Sequence, residues 1–104
     1  MMLPSGNDAA ITLASFFGNI INVRKLKKRL YVKLFVKAMN KFVFKLGCTK
    51  TEFSNPHGMY LHENMSTCIE IGKIARFALK IPFLKEIVKM KTYTSTKINK
   101  LGEK

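Results

Sequence analysis

The sequence predicts a mainly α-helical fold, a small single domain of three to four helices, and three observations carry that reading. Apolar residues recur at three- and four-residue spacing, most cleanly at Ile71, Ile74, Ala75, Ala78 and Leu79. Basic residues keep nearly the same period, with Lys25, Arg29, Lys33, Lys37, Lys41 and Lys45 at every fourth position. Gly47 and Pro82 stand where helices would stop and start. A chain of 104 residues lies near the lower size at which one core suffices, and 47% apolar residues with eight Phe are ample for it. The predicted domain covers 1–104, with flexible ends at 1–7 and 92–104 and an exposed loop at 47–66.

Pro4-Ser5-Gly6-Asn7-Asp8 is a turn-rich opening, and Asn7 or Asp8 can cap a helix by accepting free backbone N–H groups. Leu13, Phe17, Ile20 and Ile21 would then share one side of a helix running to about Val23, weakened near Gly18 by up to ~1 kcal/mol. The next stretch, 24–46, reads two ways, because a four-residue period is two strand repeats and also nearly one helical turn. As helix, from about Leu26 to Val43, the basic residues hold one side and Tyr31, Leu34, Phe35, Ala38, Met39 and Phe42 the other. As strand, its Val, Phe and Tyr content suits a hairpin at about 30–46 turning at Met39-Asn40, which would make the class α+β. Phe44 falls among the lysines in the helical reading and argues against extending the helix that far. Helix is preferred, since no Gly-containing turn interrupts the run.

Beyond Gly47 the cluster Ser54-Asn55-Pro56-His57-Gly58 marks a loop. Thr67 and Glu70 have the capping-box spacing and open a third helix with Ile71, Ile74, Ala75, Ala78 and Leu79 inward. Pro82 ends that helix and opens a fourth, with Phe83, Leu84, Ile87 and Val88 inward. Elements near 8–23 and 24–45 would pack on those at 67–81 and 82–91.

Charge is the strongest functional signal. The chain carries +13 with a pI near 10.1, and residues 24–50 hold ten positive charges and no negative one. Such a field attracts polyanions. Sixteen of the nineteen cations are Lys, a point charge without the planar fork used for base readout, so contacts to phosphate rather than to base edges are expected. The sequence-based expectation is therefore a non-enzymatic protein binding RNA, ahead of DNA, through Lys25, Lys27, Lys28, Arg29, Lys33, Lys37, Lys41, Lys45, Lys73, Arg76 and Lys80. A larger nucleoprotein assembly would be its setting. The alternatives are a basic amphipathic helix on an anionic membrane surface and a small subunit docking an acidic protein partner.

No catalytic residue, cofactor or small-molecule substrate is expected, since neither H-E-x-x-H, G-x-S-x-G nor a Gly-rich phosphate loop occurs. Cys48, His57, His62 and Cys68 could in principle ligate zinc, but without a C-x2-C knuckle no metal site is predicted. Two cysteines make no disulfide framework, and no secretory signal is visible, so an intracellular location is the default over a secreted one. Leu30-Tyr31 with the basic residues after it and Phe42 resembles the opening of the LYR motif of small helical mitochondrial accessory proteins. Val32 stands where that family has its arginine, and no family is assigned on it.

Overall fold

The computed structural model describes residues 5–22, 27–59 and 64–94. They form four α-helices, α1 (Asn7–Ile20), α2 (Tyr31–Lys45), α3 (Cys68–Ala78) and α4 (Pro82–Lys89), with a 3-10 turn, Lys28–Leu30, leading into α2. The fold class is mainly α. Continuous helix through 31–45 rules out the hairpin alternative, and among the described residues only Glu52 and Met65 pair as strands do, in one antiparallel bridge. The chain divides into two compact units, Met1–Ile74 and Ala75–Lys104. The expected flexible tail at 92–104 and the opening at 1–7 lie largely outside the described residues.

The helix α2 forms because its four-residue period fits a 3.6-residue turn closely enough to keep two faces apart over fifteen residues. Lys33, Lys37, Lys41 and Lys45 are exposed, while Tyr31, Leu34, Phe35, Ala38 and Met39 are half-buried and Val43 is buried. Phe44 is 67% exposed among the lysines, and the helix nevertheless runs through it. What ends the helix is Gly47, at φ +76°, in a Schellman motif. The Cys48 amide donates to the Val43 carbonyl at 3.1 Å and the Gly47 amide to that of Phe44 at 2.9 Å. Val43 and Cys48, the apolar pair this motif brings together, are both buried.

In α1 the cap is Gly6, with extended φ/ψ and no side-chain bond, one residue earlier than the Asn7 or Asp8 expected. Asp8 still serves the helix start, its Oδ1 accepting the Ala9 N–H at 2.8 Å. The inward face also differs from expectation. Ala14 and Gly18 are buried, whereas Leu13, Phe17, Ile20 and Ile21 are all exposed. The cause is a close crossing: a Cβ on Gly18 would lie 2.0 Å from the Tyr31 carbonyl oxygen and 2.6 Å from its carbon. Only a stripe of small residues lets the two backbones approach so far, and the large side chains are displaced to the flanks. There Phe17 stacks on Phe35 with ring centroids 6.3 Å apart.

Thr67 opens α3, its hydroxyl oxygen accepting the Glu70 N–H at 3.2 Å, which is the forward half of the capping box. The return half does not form, because the Glu70 carboxylate is engaged elsewhere. Glu70 is the buried residue of this helix, while Ile71 and Leu79, expected inward, are about half exposed. Pro82 opens α4 at its first turn with Ile81 as cap. Of its expected inward residues Leu84 and Ile87 are half-buried and Phe83 and Val88 exposed. No helix among the described residues is long and apolar enough to cross a membrane.

Candidate functional site

The entry to α1 holds the one non-glycine residue at positive φ among the described residues. Ser5, exposed, sits at φ 51°, in the left-handed region that non-glycine residues occupy at a cost of order 1 kcal/mol. Gly6 follows as cap and Asn7, half-buried as a residue, begins the helix. Ser5 and Asn7 thus bring a hydroxyl and a carboxamide to the same helix end. The Asn7 Nδ2 donates to the sulfur of Met59 at 2.8 Å, which brings a residue fifty-two positions away to this triplet.

Met59 belongs to the segment between α2 and α3, and this segment is held by three carboxamide side chains and one backbone bridge. Asn40, on α2, clasps Phe53 in both directions: its Nδ2 donates to the Phe53 carbonyl at 2.8 Å and its Oδ1 accepts the Phe53 N–H at 2.7 Å. Glu52 and Met65 exchange backbone bonds of 2.8 and 2.9 Å. Asn64 Oδ1 accepts the Ser54 N–H at 2.7 Å. Asn55 Oδ1 accepts the N–H groups of His57 and Gly58 and one from the Asn64 amide, while its Nδ2 donates to the Met59 carbonyl at 3.0 Å. Gly58 takes φ +79° to complete the turn.

Glu70 anchors the same segment from below. Its two carboxylate oxygens each accept the Lys50 N–H at 3.1 Å, and Oε2 also accepts the Thr51 hydroxyl proton. With the Thr51 proton committed there, Ser66 is the donor in the 2.8 Å Ser66–Thr51 contact, giving a relay from Ser66 through Thr51 to Glu70. The Thr51 hydroxyl, then the Lys50 and Thr49 amides and the Lys73 ammonium, outweigh burial and hold the Glu70 carboxyl below the ordinary carboxylate range. Among the described residues no buried side-chain nitrogen or oxygen lacks a partner.

The basic residues are placed differently. Lys33, Lys37, Lys41 and Lys45 line the outer edge of α2, Lys27 and Lys28 are exposed before it, and Arg29 belongs to the 3-10 turn. Lys73 is exposed and donates to the Gly47 carbonyl at 2.9 Å, which adds a cation at the C-terminus of α2. Arg76 and Lys80 are exposed in the second unit, and Lys25 lies outside the described residues. A groove of about 440 Å³ runs along α1 between Ile11 and Asn19 and is walled by Lys28 and Tyr31. Of the four candidate zinc ligands, Cys48 is buried, Cys68 is exposed and His62 lies outside the described residues. Among the described residues no three metal-capable side chains converge.

Comparison with known proteins supplies the family. The D-alanyl-D-alanine carboxypeptidase model matches residues 1–102, and the chain belongs to that family. It is 35% identical over 102 residues to a D-alanyl-D-alanine carboxypeptidase of a Streptomyces species, covering 98% of this chain and 33% of that enzyme. It is 30% identical over 100 residues to D-alanyl-D-alanine carboxypeptidase DacA of Haemophilus influenzae, covering 94% of this chain and 22% of that protein. The chain thus spans a third or less of the length of these relatives.

Membership of an enzyme family overturns the expectation of a non-enzymatic protein that binds RNA or DNA and has no small-molecule substrate. The membrane-surface and acidic-partner alternatives fall with it. The physical reason is that a period-four lysine ladder is what the solvated edge of any amphipathic helix shows when its other side packs, as α2 does on α1. Net charge reports long-range attraction, not chemistry. The sequence reading missed Ser5 and Asn7, which it took for turn and cap, and Met59. The signal for the first two was present as a Ser-x-Asn triplet at a helix entry, but three common residues in a turn are also what any helix start looks like.

Proposed function

We propose that this chain forms the helical part of a serine D-alanyl-D-alanine carboxypeptidase and supplies Ser5 and Asn7 to its active site. Enzymes of the penicillin-binding class build their site from an S-x-x-K motif carrying the nucleophile, an S-D-N-type triplet and a K-T-G triplet. Ser5-Gly6-Asn7 is assigned to the second of these, and the observation that carries the assignment is its strained placement at the entry of α1. The 104 residues contain neither S-x-x-K nor K-T-G. These motifs are assigned to the part of the enzyme beyond this third of the relatives' length.

The reaction implied is acyl transfer. A serine oxygen from the S-x-x-K element attacks the carbonyl between the two D-alanines, the C–N bond breaks, and the terminal D-alanine leaves as an amine that must gain a proton. A hydroxyl both donates and accepts, so Ser5 can pass that proton along. The Asn7 carboxamide offers one acceptor and two donors, the complement of a peptide group of the substrate. The lysines of α2 have no step in this chemistry. The outward apolar side chains of the first unit, Phe16, Ile20, Phe44 and Ile69 among them, would give the rest of such an enzyme a surface to pack on.

The test is a chimera in which residues 1–102 replace the matching third of the Streptomyces relative. Release of D-alanine from an N-acylated peptide ending in D-alanyl-D-alanine is expected, with kcat falling at least 100-fold in Asn7→Ala or Ser5→Ala while the fold holds. A folded chimera whose activity ignores both substitutions would exclude the assignment.

A further inference from the structure

We propose that the groove along α1 is the seat of a helix from the rest of the enzyme, laid in with its apolar side inward; this rests on the carboxypeptidase reading above. The groove, about 440 Å³, extends from Ile11 to Asn19, or ~12 Å of helix, just over two turns. Its lining has the relief of a helix–helix contact. Thr12 and Ser15 are small and lie between the larger Ile11 and Phe16, the kind of hollow into which a ridge of side chains on a second helix packs. The Thr12 hydroxyl donates to the Asp8 carbonyl at 2.8 Å, so its hydrogen bond is made within α1 and needs nothing from the occupant. Lys28 and Tyr31 close the far side.

The occupant follows from the composition and position of α1. In fourteen residues this helix has one charge, Asp8, and exposed apolar side chains at Ile11, Leu13, Phe16, Phe17 and Ile20 flank the buried Ala14 and Gly18. A helix apolar on all sides belongs inside a core, and α1 is not long and apolar enough to cross a membrane. One side is taken where Gly18 crosses Tyr31, yet Phe16 in the groove stays 60% exposed. The chain spans a third or less of its relatives, so such an enzyme has further chain with which to cover that side. Asn7, Ile11, Ser15 and Asn19 follow at four-residue spacing and form one row along α1, which runs from the Ser5–Asn7 triplet into the groove. A nucleophile within hydrogen-bond reach of Ser5 and Asn7 brings its part of the enzyme to the head of that row, and hence to the groove's near end.

The experiment compares the 104-residue chain with the chimera described above, each carrying Phe16→Lys or Ser15→Phe, by thermal unfolding. In the 104-residue chain both positions border an open groove, and either change should lower the Tm by no more than about 3 °C. In the chimera the groove is filled, so Phe16→Lys buries an unpaired charge and Ser15→Phe overfills the seat. Each should lower the Tm there by at least about 6 °C. Equal tolerance of both substitutions in the chain and in the chimera would overturn the seat. So would a 104-residue chain that sediments as a dimer and becomes monomeric in Phe16→Lys, since the occupant would then be a second copy. Destabilisation confined to the chimera, together with D-alanine release that ignores Asn7→Ala, would support the seat and overturn the assignment of the triplet.

Discussion

Replacing Gly18 by alanine separates the two roles that a helix-interior glycine can have. By propensity alone the change should stabilise α1 by about 1 kcal/mol. The structure predicts the opposite sign. The added Cβ would stand 2.0, 2.6 and 3.0 Å from the carbonyl oxygen, carbonyl carbon and Cα of Tyr31, all backbone atoms that no rotamer change can move. Ordinary contact begins near 3.4 Å, so α1 and α2 must separate by about 1.4 Å, which forfeits a large share of the dispersion contacts around the crossing. Overpacking of one methyl costs up to about 3 kcal/mol, so the net loss after the propensity gain is about 2 kcal/mol. With a urea slope of about 1.5 kcal/mol/M, the unfolding midpoint followed by circular dichroism should fall by about 1.3 M. The control is Gly72→Ala in α3, where nothing lies within 4 Å of the built Cβ and the midpoint should rise. A Gly18→Ala chain as stable as the natural one, or more so, would refute the close crossing and restore the reading of Gly18 as a mere weak point.

Three further outcomes are expected. Asn40→Asp keeps the bond from the Phe53 N–H but sets oxygen against the Phe53 carbonyl, so at neutral pH it should cost about 2 kcal/mol, more than Asn40→Ala, with the gap closing in acid as the new carboxyl gains a proton to donate; urea titrations at two pH values test the ordering. Because the folded-state pKa of Glu70 is depressed, its contribution is fully present above the ordinary carboxylate range and is lost as pH falls through the lower folded value. The hydrogen-exchange protection factors of the Lys50 and Thr49 amides, taken relative to intrinsic exchange, should fall over that acid window in the natural chain, and a Glu70→Gln chain should already show lowered protection at neutral pH. Cys68 is exposed and Cys48 is 1% exposed, so an aromatic disulfide reagent should modify Cys68 at once and Cys48 only on unfolding; equal rates would contradict the buried Val43–Cys48 cap.

Where the sequence was legible, a single residue forced the outcome. Gly47 stops α2 because its φ of +76° suits glycine, and Pro82 opens α4 because it has no N–H to lose. Thr67 caps α3 for an equally local reason. Orientation was not legible in the same way. Leu13, Phe17 and Ile20 mark an apolar side of α1, but the close crossing with α2 falls at Gly18, with Phe17 meeting Phe35 at its flank, and hydropathy cannot distinguish a face that packs by bulk from one that packs by closeness. Glu70 was read correctly as part of a capping pattern and incorrectly as to its partner. Its carboxylate reaches Lys50 and Thr51, twenty residues back, and no local rule carries that distance.

The candidate site was illegible for a related reason. Its three members come from two places: Ser5 and Asn7 from a helix start, Met59 from a loop. Each has an ordinary local explanation, and only their meeting is unusual. The lysine ladder is the reverse case, conspicuous along the chain and unremarkable in space, because a helix that packs on one side must put its charges at regular intervals on the other. Regular spacing follows from secondary structure alone, whereas a site needs groups brought together against their separation in sequence. The loop between α2 and α3 is where this chain does that, through the carboxamides of Asn40, Asn55 and Asn64 and the carboxylate of Glu70. Four side chains that bond mainly to backbone, with the Asn64–Asn55 amide contact and the Thr51 hydroxyl on Glu70 beside those bonds, fix the course of the loop, and that course delivers Met59 to Asn7.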